Sequence, residues 1–275
     1  QPSLSSFQFL KDCRHLSRHY LEKAYLKLNS VKMDIKINKH INYKKTVEEA
    51  FILAAGLGRR LMPLTKNMPK PLVEINQKPM IDYIFDALKT IDINKIYINT
   101  HYQHERIFEY IERKKISNVH ISHETALLDT GGGIKNAIDP DTTQTIMIIN
   151  CDAILLNNYS NLLQDLQKKF NPDKMDALLA FSSPKNAVGY SGSGDYIIAN
   201  DGTVIESDRS DKMVFMGISV LNTKTLELVN ADRFSLVEIW SKLINKRTCY
   251  GMVFENIWFH AGNVEAIKLA NQFSE

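Results

Sequence analysis

Cysteine is scarce in this chain. Cys13, Cys151 and Cys249 are the three in 275 residues, and no two share a metal-ligand spacing. That excludes a disulfide framework and a paired-cysteine zinc site, and it fits free thiols in a reducing cytosol. No apolar run reaches about 18 residues, which argues against a transmembrane helix. No signal-peptide pattern opens the chain, so a cytoplasmic location is expected. Internal repeats and low-complexity tracts are missing as well. So is any excess of positive charge in the body. Residues 1–46 hold ten Lys/Arg against three Asp/Glu, a balance of +7, while the remainder carries −4. A mildly acidic body does not read as a nucleic-acid binder.

What is present is an apolar content of 44%, enough for a sizeable core. Residues 1–46 read as a basic helical extension, and 47–275 as one domain. Within the extension, Phe9, Cys13, Leu16, Tyr20, Ala24 and Leu28 recur at spacings of three and four, which predicts an amphipathic helix over Ser6 to Leu28. Such a helix would pack on the body or on a second protomer; a partner-binding or membrane-surface helix is the alternative. Met33 is a candidate natural start, so the extension is read as dispensable.

From Glu49 the pattern alternates strand and helix. Strands are expected at Ala50–Ala54, Lys95–Asn99, Val119–His123, Thr145–Asn150 and Met175–Phe181. Helices are expected at Pro79–Thr90, Gln103–Arg113 and Tyr159–Lys169, with a short one opening at Gly133. This predicts an α/β fold with a mostly parallel central sheet flanked by helices. After Ser182 the elements shorten, with strands at Asp195–Ala199, Val204–Ile205, Met213–Leu221 and Tyr250–Glu255. Helices are expected there at Asn222–Val229, Leu236–Asn245 and Val264–Phe273. Ligands of open α/β sheets bind beyond the carboxyl ends of strands. Gly56, Glu124 and Asp152 all fall just past such ends.

The stretch Leu53-Ala54-Ala55-Gly56-Leu57-Gly58-Arg59-Arg60-Leu61-Met62-Pro63-Leu64-Thr65, with Pro69-Lys70-Pro71 behind it, puts two glycines and two cations after an apolar strand. Glycine lets main-chain N–H groups approach phosphate oxygens, and Arg and Lys form charge-assisted bonds to them. The dinucleotide fingerprint fails because Leu61 stands where its third glycine belongs, and the Walker loop fails for want of G-K-[ST].

The pattern G-x-G-x-R-x-x-P-x-T with P-K-P resembles the signature of the sugar-1-phosphate nucleotidyltransferases. The resemblance runs from about Glu49 to the C-terminus. Leu128-Asp129-Thr130-Gly131-Gly132-Gly133-Ile134, Gly192-Ser193-Gly194-Asp195-Tyr196, Phe234-Ser235-Leu236 and Trp258-Phe259-His260-Ala261-Gly262 look most like the small bacterial members that activate N-acetylmuramic acid 1-phosphate with UTP. It implies a Rossmann-like fold of the nucleotide-diphospho-sugar transferase type. It also implies attack of a sugar-1-phosphate oxygen on the α-phosphorus of an NTP, with Mg²⁺ as cofactor and Mn²⁺ as the alternative. No protein nucleophile is needed for that reaction, which must instead bring two polyanions together.

Residue roles follow from the match. Arg60 is assigned to the β- and γ-phosphates, and Lys70 to the α-phosphate or the incoming sugar phosphate. Ala54, Ala55, Gly56, Leu57 and Gly58 form the nucleotide loop. Glu124, Thr125, Thr130, Gly131 and Gly132 resemble the segment that faces base and ribose, with the adjacent glycines read as allowing close backbone approach. Asn150 and Asp195 match sugar-phosphate and acceptor positions.

Asp152 matches the metal-binding aspartate of an N-G-D segment whose glycine is Cys151 here. A carboxylate leaving a buried strand also needs a partner or a metal on physical grounds. His260 replaces the aspartate of W-x-D-x-G, and imidazole is a poorer partner than carboxylate for Mg²⁺. Three roles stay open for it: ligand to a softer metal, phosphate donor, or structural histidine. Hexose or heptose phosphates and phosphocholine stand as other acceptors, and a non-catalytic nucleotide-sugar sensor as a rival class.

Overall fold

The computed structural model describes residues 47–273, so the expected N-terminal helix lies outside the described residues. Seven strands build the main sheet: β1 (Glu49–Leu53), β2 (Lys95–Thr100), β3 (Val119–His123), β4 (Thr145–Asn150), β5 (Ala177–Ser182), β6 (Val214–Asn222) and β7 (Cys249–Val253). Their spatial order is β7-β5-β6-β4-β1-β2-β3. All pairings are parallel except those of β6, which runs antiparallel to both β4 and β5. The expected mostly parallel sheet is therefore present, with one reversed strand.

Among the described residues there are six α-helices: α1 (Met80–Leu88), α2 (His104–Lys114), α3 (Asp129–Ala137), α4 (Tyr159–Lys169), α5 (Leu236–Asn245) and α6 (Val264–Gln272), of which the first five flank the sheet. Strand alternation sorts the side chains into two cores. Ala50, Ile52, Ile98 and Ile149 face α1, α2 and α4 through Ile84, Ile107 and Leu162. Phe51, Tyr97 and Ile148 face α3 and α5 through Ile134 and Trp240. A third, smaller core joins Leu61 and Ile75 to Phe259, Ile267 and Ala270, so α6 lies beneath the glycine–arginine loop.

The helix expected at Asn222–Val229 is a 3-10 helix, Thr223–Leu228, and the strand expected at Asp195–Ala199 shortens to Ile197–Ile198; a larger departure concerns the glycines. The helix expected to open at Gly133 starts at Asp129 and contains Gly131, Gly132 and Gly133. Glycine inside a helix costs about 0.5–1 kcal/mol relative to alanine, so three in a row argue against helix by propensity. Tertiary packing overrides it. A Cβ at Gly131 would overlap the Phe234 ring, one at Gly132 the Asp232 carbonyl, and one at Gly133 the Glu124 carboxylate. The bare backbone is what lets the 232–234 loop and Glu124 close on α3. Short strands without a readable period were also missed. Ala153–Ile154, Trp258–His260 and Ala187–Val188 form a separate three-stranded sheet at the carboxyl edge of the main one.

Gly132→Ala is therefore expected to destabilise the fold by roughly 1–3 kcal/mol through overpacking. Gly56→Ala, where a Cβ meets nothing within 4 Å, should change stability by less than about 0.5 kcal/mol. Urea unfolding of the two variants checks the contrast.

Candidate active site

The site is built where β1, β2, β3 and β4 end. The Ala54 N–H donates to Asn99 Oδ1 at 2.8 Å, and Asn99 Nδ2 donates to Glu124 Oε1 at 2.8 Å. The Leu128 N–H donates to the other carboxylate oxygen of Glu124 at 3.0 Å. Glu124 is 2% exposed, and this network ties three strand ends to the start of α3. Gly58 takes a left-handed turn at φ 63°, and its carbonyl accepts from Thr65 Oγ1 at 2.8 Å and from the Leu61 N–H at 2.9 Å. Buried Leu61 anchors the short 3-10 turn Arg59–Leu61, which leaves Arg59 and Arg60 exposed. Gly56 is exposed with open space above it.

Opposite this loop, Lys70 Nζ lies 2.5 Å from Asp152 Oδ2, and His260 Nε2 lies 3.6 Å from the same oxygen. The small sheet places them, because His260 pairs with Ala153 and the Ala261 N–H donates to the Asp152 carbonyl at 2.9 Å. Burial on its own raises the Asp152 pKa, but the Lys70 charge and the His260 hydrogen bond outweigh it and hold the carboxyl well below the usual range. Burial likewise works to lower Lys70, and the Asp152 charge overrides it, so Lys70 stays cationic. Cys151, buried beside them, has its thiol pushed up to about 12 by burial and is protonated at neutral pH. Gly262 supplies the remaining room: a Cβ there would stand 3.2 Å from His260 Nε2 and 3.3 Å from Arg60 Nη2. Arg60, Lys70, Asp152 and His260 thus form one cluster.

Two cavities meet at this cluster. One of about 310 Å³ is bounded by Ala55, Gly56, Lys70, Glu124 and Arg233. Another of about 740 Å³ is bounded by Tyr190, Asp195, Lys212, Trp258 and His260. Thr130, Asn150 and Asp152 line both. Two compartments sharing a wall of one carboxylate, one amide and one threonine, with a lysine on that carboxylate, suit two ligands whose reacting ends must touch.

The family sequence profile described as nucleotidyl transferase matches residues 49–275. The chain belongs to the nucleotidyl transferase family. It is an enzyme that transfers a nucleotidyl group. Among the similar relatives is the N-acetylmuramate alpha-1-phosphate uridylyltransferase of Caulobacter vibrioides, 29% identical over 80% of this chain and 94% of that protein. Another is the D-glycero-alpha-D-manno-heptose 1-phosphate guanylyltransferase of Aneurinibacillus thermoaerophilus, 30% identical over 78% of this chain and 93% of that one. A solved structure of HddC from Yersinia pseudotuberculosis complexed with GMP-PN has the same fold, with a TM-score of 0.64 at 24% identity, over 82% of this chain and 99% of that chain.

In this nucleotidyl transferase, the expected site residues do not all share one position. Ala55, Gly56, Lys70, Glu124, Thr130, Asn150, Asp152, Asp195 and His260 line one cavity or the other. Ala54, Leu57, Gly58 and Arg60 line neither cavity, and Thr125 is exposed outside both. Gly131 and Gly132 serve packing: both N–H groups donate to the Phe234 carbonyl, at 3.0 and 3.1 Å, so neither is turned to a ligand. Both carboxylate oxygens of Asp195 are engaged as well, by the Tyr190 hydroxyl at 3.2 Å and the Phe215 N–H at 2.8 Å.

For a divalent cation the donor set is small. Among the described residues no cluster of three or more His, Cys, Asp or Glu could hold a metal. Asp152 and His260 offer one carboxylate and one imidazole, which fits an ion that takes the rest of its shell from phosphate oxygens and water.

Sequence reading missed Asn99, Tyr190, Lys212 and Arg233. Asn99 lies near the carboxyl end of β2, the edge where ligands of open α/β sheets bind. The other three are single residues on irregular segments and carry no local signal.

The depressed Asp152 pKa makes a stability prediction. A group whose folded pKa lies below its unfolded value of about 3.9 adds stability that is present above that value and lost as pH falls below it. The stability advantage of wild type over Asp152→Asn should therefore narrow as pH drops from 6 to 3, as read by urea unfolding.

Proposed function

We propose that the enzyme transfers a nucleotidyl group from an NTP, with UTP as the leading candidate, to a sugar 1-phosphate, with N-acetylmuramic acid 1-phosphate as the leading acceptor. The observation that carries this reading is the shared wall of Asn150 and Asp152 between two cavities, with Lys70 upon it. The Caulobacter relative supports the acceptor and the base. The similarity to the heptose 1-phosphate guanylyltransferase, at nearly the same identity, keeps GTP and a heptose phosphate as the second reading.

In this reading the smaller cavity takes the NTP and the larger one the sugar 1-phosphate. A phosphate oxygen of the acceptor forms a bond to the α-phosphorus. The bond from that phosphorus to the oxygen bridging the β-phosphate breaks, its electron pair stays on the bridging oxygen, and pyrophosphate leaves. Lys70, kept charged by its neighbour, neutralises the two phosphates that must approach each other. Arg60, beside His260, faces the leaving pyrophosphate. Such stabilisation is effective at Lys70 because that donor is fixed by Asp152 and largely shielded from water before the substrates arrive. Asp152 and His260 are the residues that would hold a divalent cation, Mg²⁺ first and Mn²⁺ second, and the bound ion would supply further neutralisation of phosphate charge. Residues 1–46 are proposed as an arm for self-association or a partner.

Pyrophosphate release measured with each NTP against a panel of sugar 1-phosphates tests the reading. Turnover with UTP and N-acetylmuramic acid 1-phosphate is expected. Tight nucleotide-sugar binding with no turnover for any pair would make the protein a sensor instead. Lys70→Ala and Asp152→Ala should each lower kcat at least about 100-fold, the scale seen when one fixed transition-state donor is lost, with circular dichroism unchanged. His260→Asp should shift the metal preference towards Mg²⁺; an unchanged metal dependence would assign His260 a structural role.

A further inference from the structure

The segment Asp232–Leu236 reaches the smaller cavity from more than a hundred residues beyond the glycine–arginine loop, and it is held there tightly. The Phe234 carbonyl accepts from both Gly131 and Gly132, the Phe234 N–H donates to the Leu128 carbonyl at 3.1 Å, and the Leu236 N–H donates to Thr130 Oγ1 at 2.8 Å. A Cβ at Gly132 would come within 3.2 Å of the Arg233 Cα. The glycines of α3 thus fix the Arg233 backbone at the cavity wall.

The Arg233 side chain is exposed and lines that cavity with Gly56, Glu124, Asp129 and Thr130. Among the described residues it has no ion pair and no side-chain hydrogen bond. Arg209 and Arg247, by contrast, pair with Asp211 at 2.5 Å and Asp201 at 2.6 Å. The nearby Asp129 uses its Oδ1 on the Thr130 N–H at 2.6 Å. Lys70 and Asp152 line the same cavity and face phosphate in the assignment above, whereas Arg233 is carried by the segment bonded to Leu128 and Thr130, beside the stretch assigned to base and ribose.

Resting on the nucleotide assignment above, we propose that Arg233 is a nucleotide-binding residue whose planar guanidinium packs on the face of the bound base. Guanidinium stacks on aromatic faces, which an ammonium on a flexible stem does not reproduce. The backbone is already fixed and no existing partner has to be given up, so side-chain freedom is the main cost of doing so.

Calorimetric titration of the full chain with UTP, CTP, GTP and ATP in the presence of Mg²⁺ tests this, using the triphosphate and the corresponding monophosphate that wild type binds most tightly. Arg233→Ala is expected to weaken binding of both by about tenfold. Arg233→Lys should weaken binding to a similar extent, with KM for the sugar 1-phosphate unchanged. Affinities for Arg233→Ala within twofold of wild type would overturn the proposal. So would rescue by Arg233→Lys with a loss confined to the triphosphate, which would assign Arg233 to phosphate. If wild type binds none of the four nucleotides, the nucleotide assignment itself fails, and this proposal with it. Arg233 is exposed, so an unchanged melting temperature separates loss of binding from loss of fold.

Discussion

The Lys70–Asp152 ion pair is the constraint around which the site is arranged. Its side chains are 13% and 14% exposed, so both charges are largely out of water, and removing either would strand the other. A buried pair is weak support for stability by itself, because desolvation offsets the attraction. Its value here is positional. The pair joins residues 82 apart in sequence and brings the lysine of a proline-flanked turn to the carboxyl end of β4. The small sheet then brings His260 to the same carboxylate. Substrates meet a charge arrangement that already exists.

The long periodic elements were legible because burial repeats along them. β4 falls where a continuous apolar run puts it, and α4 where helical spacing does. The glycine–arginine loop was legible for a different reason: it is local, and its glycines and cations are contiguous. What could not be read depends on contacts between distant segments. The three glycines of α3 look like a loop until Phe234, Asp232 and Glu124 are seen pressing against them. Trp258–His260 is too short to show a period, yet it sets the histidine. Tyr190, Lys212 and Arg233 enter the walls because the fold brings their segments there.

Asn150 illustrates how close these walls are. It lines both cavities, and its side chain stands where Gly217 has no Cβ: one there would lie 2.5 Å from Asn150 Nδ2. Gly217 takes φ 74° within the irregular register between Phe215 and Ser219. A bulge next to a site re-aims the strand, and here it leaves room for the amide that separates the two compartments.

The reversed direction of β6 has a consequence of its own. Because β6 is antiparallel to β4, its first residues, not its last, lie at the carboxyl edge of the sheet. The glycine–arginine loop and Asp152 thus leave the sheet as outgoing chain, while Lys212, Phe215 and Gly217 arrive as incoming chain. The connection that delivers them, through Glu206 and Asp208, borders the larger cavity and not the smaller one. Lengthening or replacing that connection changes one compartment and spares the other. In the assignment proposed above that compartment takes the acceptor, so a change in this one loop would alter acceptor fit while the glycine–arginine loop stays as it is.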